Sequence, residues 1–355
     1  MASLRQFFLS QPAASRGAQC RALLVFTLLL FLGSVFFPTH THSAEITPFY
    51  TQDQSPIIQI FGLPAPGSAA VLPEGRREAR LALDVASNYT VGSSEHESLI
   101  LDGESYRTLL SFRHGLARGF EAGLDIPFPV QSSGCLDGFI VGWHTFFQLP
   151  QGGRDTAPRN QLQYRYAKDG KERLLLDKTS GGIGDLRLTG AMQLYHEDAG
   201  HRRTGALRAS LKLPTGDSAG LLGSGSTDLA LWTVGSTDFP LPEWGHLTIF
   251  GAAGGMAMSK GKVLAEQQRR LAGFGNLGIG WGPADWIDFK LQASGHTPLF
   301  SGSGLRELGS SSLLLLIGGS LRFDATTALD IAVAEDIAVH TAPDVAFHLA
   351  LTRSF

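Results

Sequence analysis

The sequence has little charge and almost no cysteine. Only 17% of its 355 residues are charged, against roughly 25% in an ordinary globular chain, and the formal net charge is −3. No basic patch stands out, so nucleic acid is not an expected partner. Two cysteines, Cys20 and Cys135, are too few for a disulfide scaffold or a cysteine-rich metal or iron–sulfur site. Beyond residue 45 there is no apolar run of the roughly 18 residues that a membrane-crossing helix requires. No serine elbow, zinc-protease helix, phosphate loop or dinucleotide fingerprint sits in a strand–turn–helix setting. Neither a cofactor nor a catalytic centre is therefore expected. Glycine, in contrast, is abundant at 43 residues.

Residues 1–44 read as a secretory signal. Arg5, Arg16 and Arg21 precede the apolar run at 22–37, no acidic residue occurs before Glu45, and Pro38 and a short polar stretch ending His42-Ser43-Ala44 follow. Cleavage is expected after Ala44. The apolar run, at about 16 residues, falls short of the roughly 20 needed to span a bilayer.

Past residue 78 the dominant pattern is alternation at period two. At the C-terminus Val345, Phe347, Leu349 and Leu351 share one face with Phe355, while Asp344, Ala346, His348 and Ala350 share the other. Ile287, Phe289 and Leu291 alternate with Asp288, Lys290 and Gln292 in the same way, as do Leu207, Ala209 and Leu211 with Arg208, Ser210 and Lys212. Segments of this kind recur near 79–90, 98–114, 118–130, 183–197, 204–214, 227–238, 246–259, 270–282, 285–297, 312–323, 326–336 and 344–355. Most exceed the usual soluble strand of about five or six residues and match a tilted membrane strand. The connections between them alternate short and long, as they do between the two rims of an outer-membrane barrel.

A sheet can cross hydrocarbon only if every backbone group is paired, which demands closure. The expected fold is thus all-β: a transmembrane antiparallel up-and-down barrel of about twelve strands over 79–355, apolar outside and polar inside. It would become fourteen if the short segments 161–167 and 172–177, joined by an Asp169-Gly170 turn, also crossed. Tyr89, Phe128, Trp281, Trp286, Phe323 and Phe355 fall near strand ends, where an aromatic girdle is expected.

Several blocks carry a resemblance. DGFIVGWHTFFQLPQGGRD at 137–155, GGIGDLRLTGAMQLY at 181–195, LRASLKLPTGD at 207–217 and GSGSTDLALW at 223–232 resemble a family of Gram-negative outer-membrane barrels classed as a domain of unknown function. GDLRL and KLPTGD are also similar to blocks in outer-membrane transporters of hydrophobic or aromatic compounds. A final strand ending in Phe355 resembles the signal read by the outer-membrane barrel assembly machinery, with Arg353 where an aromatic residue is usual. These resemblances imply outer-membrane lipid and that machinery as partners, and no characterised substrate.

Two segments could close the lumen. The long connection 131–182 begins with Phe139, Ile140, Trp143, Phe146 and Phe147 at helical spacing, predicting a short helix over 137–147 that either folds toward the lumen as a constriction, with Trp143 and His144 near the gate, or lies on the rim. The exported stretch 45–78 contains five prolines and the apolar run IIQIFGLP at 57–64, and is expected to be a periplasmic tail or a plug. The polar faces would line the lumen with Asp84, Arg107, Arg113, Glu121, Asp125, Asp185, Arg187, Arg208, Lys212, Asp228, Asp288, Lys290, Arg322 and Asp330. Arg107 and Arg113 are expected to meet Glu121 or Asp125, and Asp185 or Arg187 to meet Arg208 or Lys212. Mixed charge of this kind suits either stiffening ion pairs or the lining of a channel for a small polar solute. A structural or surface-interaction barrel is the alternative, and an outer-membrane hydrolase a third.

Overall fold

A computed structural model describes residues 45–147, 158–198, 201–337 and 341–355. The expected signal segment lies outside them.

Fifteen strands follow the alternation: β1 (Arg77–Ser93), β2 (Glu97–Leu116), β3 (Phe120–Ser132), β4 (Gln163–Lys168), β5 (Lys171–Leu176), β6 (Ser180–Gly181), β7 (Arg187–Glu197), β8 (Arg203–Lys212), β9 (Asp228–Leu241), β10 (Gly245–Met258), β11 (Leu271–Ala284), β12 (Ile287–His296), β13 (Ser312–Arg322), β14 (Thr327–Asp336) and β15 (Val345–Ser354). Twelve of them, β1–β3 and β7–β15, pair antiparallel in sequence order, and β15 returns to β1 with Glu78 opposite Ser354 and Ser87 opposite Val345. These twelve strands close on themselves, so the barrel wall has no edge strand.

β4 and β5 do not add strands to the barrel. They form a hairpin on the upper end of β2, with Leu99 opposite Tyr166, where β3 has ended its pairing at Glu104 opposite Ser132. β2 is long enough, at 20 residues, to serve both partners. The β1–β2 connection is also tighter than its spacing suggests, because both strands run on past the rim and leave only residues 94–96 between them.

Burial reverses the pattern of a soluble protein. Leu277 is 65% exposed and Ile317 59%, whereas Lys290 and Lys212 are 3% and 2% exposed. Exposed Leu229, Leu231, Ile249, Ile279, Phe289, Leu291 and Ile331 complete an apolar outer band. Water would penalise such a band, whereas lipid does not. Exposed Trp244, Trp286 and Phe355 cluster at the rim of short turns, where Trp281 stacks on Phe289 and donates to the Trp244 carbonyl. Both ends of the barrel sequence meet at that rim, where Arg77 and Phe355 exchange backbone hydrogen bonds.

Candidate functional site

The inward faces form a lattice of ion pairs, and register decides which pairs form. Arg113 lies opposite Gly123 on β3, so its diagonal neighbours two residues away are Glu121 and Asp125. It pairs with Asp125 at 2.9 Å and with Glu121 at 3.8 Å. Glu121 is shared with Arg208 at 3.1 Å. Lys212 sits between Asp185 at 2.5 Å and Asp228 at 3.4 Å. Across the barrel Lys290 pairs with Asp330 at 3.1 Å and Arg322 with Asp288 at 2.6 Å. One expectation needs correcting. Arg107 does not meet Glu121 or Asp125, because its directly opposed neighbours are Pro129 on β3 and Asp84 on β1. It turns to Asp84, at 3.6 Å.

The lumen is occupied. Residues 45–76 enter at the short-turn rim, climb to the long-loop rim and return to β1, so that two limbs of chain run through the barrel. On the ascending limb, a Cβ added at Gly280 of β11 would lie 2.5 Å from Ile46, and Lys290 donates to the Thr47 carbonyl at 3.2 Å. Phe49 N donates to Gln292 at 2.9 Å, and Lys290 lies 4.2 Å from the Phe49 ring centre. The Tyr50 hydroxyl donates to Asp125 at 2.9 Å and accepts from Arg113. Thr51 donates to Asp84 at 2.8 Å, and Asp53 is held by His296 at 3.1 Å and Ser312 at 3.0 Å.

Residues 57–63 form the crest. Ile57, Ile58, Ile60, Phe61 and Leu63 are buried in the largest apolar cluster of the protein, against Leu99, Tyr164 and Tyr166 of the β2–β4 extension, Val263 and Leu264, and Leu299, Phe300, Leu305 and Leu308. Phe61 meets Phe300 edge to face at 5.7 Å. The cap is tied down by Glu97, which accepts from Lys168 at 2.7 Å, Ser303 at 2.6 Å and Gly304 N at 2.9 Å. The Glu97 carboxylate holds the Lys168 ammonium above its ordinary pKa.

On the descending limb, Gly62 N donates to Asp228 at 2.7 Å, Trp232 to the Pro66 carbonyl at 2.9 Å, and Arg208 to the Ser68 carbonyl at 2.8 Å. Val71 N and Leu72 N end the limb on Gln193 at 2.8 Å and Glu121 at 3.1 Å. Ser68 joins the two limbs by donating to Glu45 at 2.9 Å. Gly62 provides space for its contact with Asp228, since a Cβ there would lie 2.7 Å from that of Asp228, whereas Gly67 beside Arg208 takes a left-handed φ of 76°. Between plug and wall the described residues leave cavities of about 50 and 20 Å³, room for a few waters.

The connection 131–182 contributes elsewhere. Its helix α1 (Asp137–Phe147) forms where its spacing predicts, but its N-terminal half packs on the outer wall. Phe139 meets Phe347 at 5.9 Å, and Phe347 alternates with the inward His348. Outward Glu104 accepts from Cys135 N at 2.8 Å and from Leu136 N at 2.5 Å. The side chains of Trp143 and His144 lie outside the described residues.

Histidines are dispersed. His196 bonds Asp198 and Thr204 whereas His201 packs on Phe239, and His348 bonds Asp84 at 2.7 Å. His296 bonds Asp53 while neighbouring Ser294 accepts from Gln292 at 2.9 Å, so these two make no nucleophile–base pair. Gly216–Gly220 spells G-D-S-A-G, but it lies in the β8–β9 loop with no helix after it, and Asp217 there closes a turn on Ala219 N at 3.0 Å.

The architecture has solved relatives. It is similar to an outer-membrane channel from Pseudomonas putida F1, with a TM-score of 0.53 and 13% identity over 82% of this chain and 99% of that one. The KdgM porin (TM-score 0.38, 9% identity, 78% and 99% covered) and the β domain of the Bordetella autotransporter BrkA (0.39, 12%, 79% and 100%) are also similar. At 13% identity the likeness to the Pseudomonas putida channel speaks for the fold alone, which is that of a bacterial outer-membrane barrel. No curated protein matches the sequence. From residue 24 to Phe355 the chain matches DUF3187, a protein family of unknown function, and belongs to it.

Proposed function

We propose that the protein is an outer-membrane channel for small solutes that rests closed, and that residues 45–76 are its gate. The observation that supports this reading is the hairpin itself. It fills the lumen from rim to rim, yet among the described residues it continues covalently only into β1 and is otherwise held by hydrogen bonds, the Asp53–His296 pair and contacts in four apolar clusters. Every one of these is reversible. The ion pairs among the wall residues themselves, such as Lys212 with Asp185 and Arg113 with Asp125, do not depend on the plug. They leave a stiff, charge-balanced wall when it moves, one suited to solutes without strong selection by charge sign.

Export by residues 1–44, entry into the outer membrane through the C-terminal strand ending at Phe355, and placement of the long-loop rim outside the cell belong to the same proposal. A barrel without transport is the second reading, favoured by the number of bonds on the plug. Swelling of liposomes in small neutral solutes separates the two. Deleting residues 45–72 should open a path that the full chain largely blocks. Equal, negligible swelling in both would favour the barrel without transport.

A further inference from the structure

Beside the crest, a cavity of about 20 Å³ is lined by the charged side chains of Arg107, Arg187, Lys212 and Asp185, by Gln59, and by the apolar Ile60, Phe61, Pro127, Pro129 and Leu222. Lys212 is consumed by Asp185, Asp228, Ser224 and Ser226. The two arginines are not. Arg107 is 5% exposed, and its partner is Asp84 at 3.6 Å, beyond hydrogen-bond reach. Arg187 is 6% exposed and makes one long bond of 3.4 Å to Gln52. A guanidinium carries five N–H donors, and leaving them unspent in a buried site is costly.

Nearby acids do not answer that demand. Asp125, opposite Arg187 across the β3–β7 register, already serves Arg113 and Tyr50. Asp185 serves Lys212, Gly216 N and Ser224 N. Asp84 serves Thr51 and His348 through one oxygen, while its other oxygen is buried without a hydrogen bond. The local charges nearly cancel, so a strongly charged oligoanion is disfavoured. What is missing is a fork-shaped acceptor, and a carboxylate presents two parallel oxygens to a guanidinium. Apart from Gln59 and the paired Lys212 and Asp185, the rest of the lining is apolar, which fits an apolar body on the ligand.

We propose that Arg107 and Arg187 form a subsite for the carboxylate of a small apolar monocarboxylic acid. The cavity holds about one water, so the body of such a solute must take the place of Ile60 and Phe61. Those two residues belong to the crest that seals the long-loop rim. Binding would thereby favour the displaced plug, because a ligand shifts an equilibrium by its differential affinity for the two states. The solute would help to open its own path. This inference rests on the channel reading above and names the solute class.

The test is equilibrium dialysis of benzoate, with benzyl alcohol as the uncharged counterpart, against the full-length folded protein in detergent. Saturable benzoate binding is expected, with affinity reduced about tenfold or more by Arg187→Gln or Arg107→Gln. Arg187→Lys, which keeps the charge but loses the fork, should lose part of the affinity and covers the case in which a glutamine variant misfolds. Absence of saturable benzoate binding, affinity unchanged by these substitutions, or equal binding of benzyl alcohol would overturn the proposal. If the barrel conducts after deletion of residues 45–72 yet fails to bind benzoate, this subsite falls and the channel reading stands.

Discussion

Replacing Phe61 with alanine should unlock the gate without harming the barrel. Phe61 is fully buried, with its ring edge to face against Phe300 in the apolar crest. Truncating a buried phenylalanine costs about 3–5 kcal/mol, from lost transfer energy and the cavity left behind. That cost falls on the closed state, in which the ring is packed, and scarcely on a state in which the plug has withdrawn. At about 1.4 kcal/mol per factor of ten, the open-to-closed ratio should rise by roughly two to three and a half orders of magnitude. Opening frequency in single-channel recordings at fixed voltage measures this ratio. Leu291→Ala, on the lipid-facing side of β12, is the control and should leave gating unchanged. If Phe61→Ala folds, as judged by its shifted mobility on unheated gels, yet opens no more often than the native protein, the crest is not what keeps the lumen closed.

Other consequences follow from named contacts. Lys212→Met leaves Asp185 and Asp228 facing one another without their cation, and loss of one partner from a buried charge cluster costs about 3–5 kcal/mol; the urea midpoint of the folded barrel should fall accordingly. Gly280→Val places a side chain where Ile46 sits 2.5 Å from the added Cβ, and should dislodge the base of the plug and speed proteolysis within 45–76. Gly138→Ala, with nothing within 4 Å of the added Cβ, should not change that rate. Phe355→Ala should slow conversion to the heat-modifiable folded form in cells if the last strand is the assembly signal, and an unchanged rate would refute that role.

Much of the barrel was legible because its constraints are local. A lipid-facing strand must alternate, so 246–259 and 270–282 marked β10 and β11 to within two residues at each end. The helix at 137–147 was equally plain from its 3.6-residue periodicity. Pairings across β3 and β7–β8 followed once strands were placed, because the partners lie within two residues of the directly opposed position, Gly123 for Arg113 and Arg187 for Lys212. Arg107 was misassigned because Asp84 on β1 was not weighed as its partner: the tight connection 94–96 sets a β1–β2 register that places Asp84 directly opposite. The plug was legible as an apolar, proline-rich oddity but not as a route. It has no periodicity, and its bonds join residues as far apart in sequence as Phe49 and Gln292. The unspent donors of Arg107 and Arg187 were invisible for a related reason. Composition balances charges over the whole lumen, whereas geometry shows which ones are satisfied.

Conductance across a planar bilayer tests the gated channel most directly. The native protein should give rare, brief openings, and the variant lacking residues 45–72 a steady conductance with a reversal potential near zero in a salt gradient, as its mixed-charge wall requires. A folded deletion variant that conducts no more than a protein-free bilayer would contradict the account.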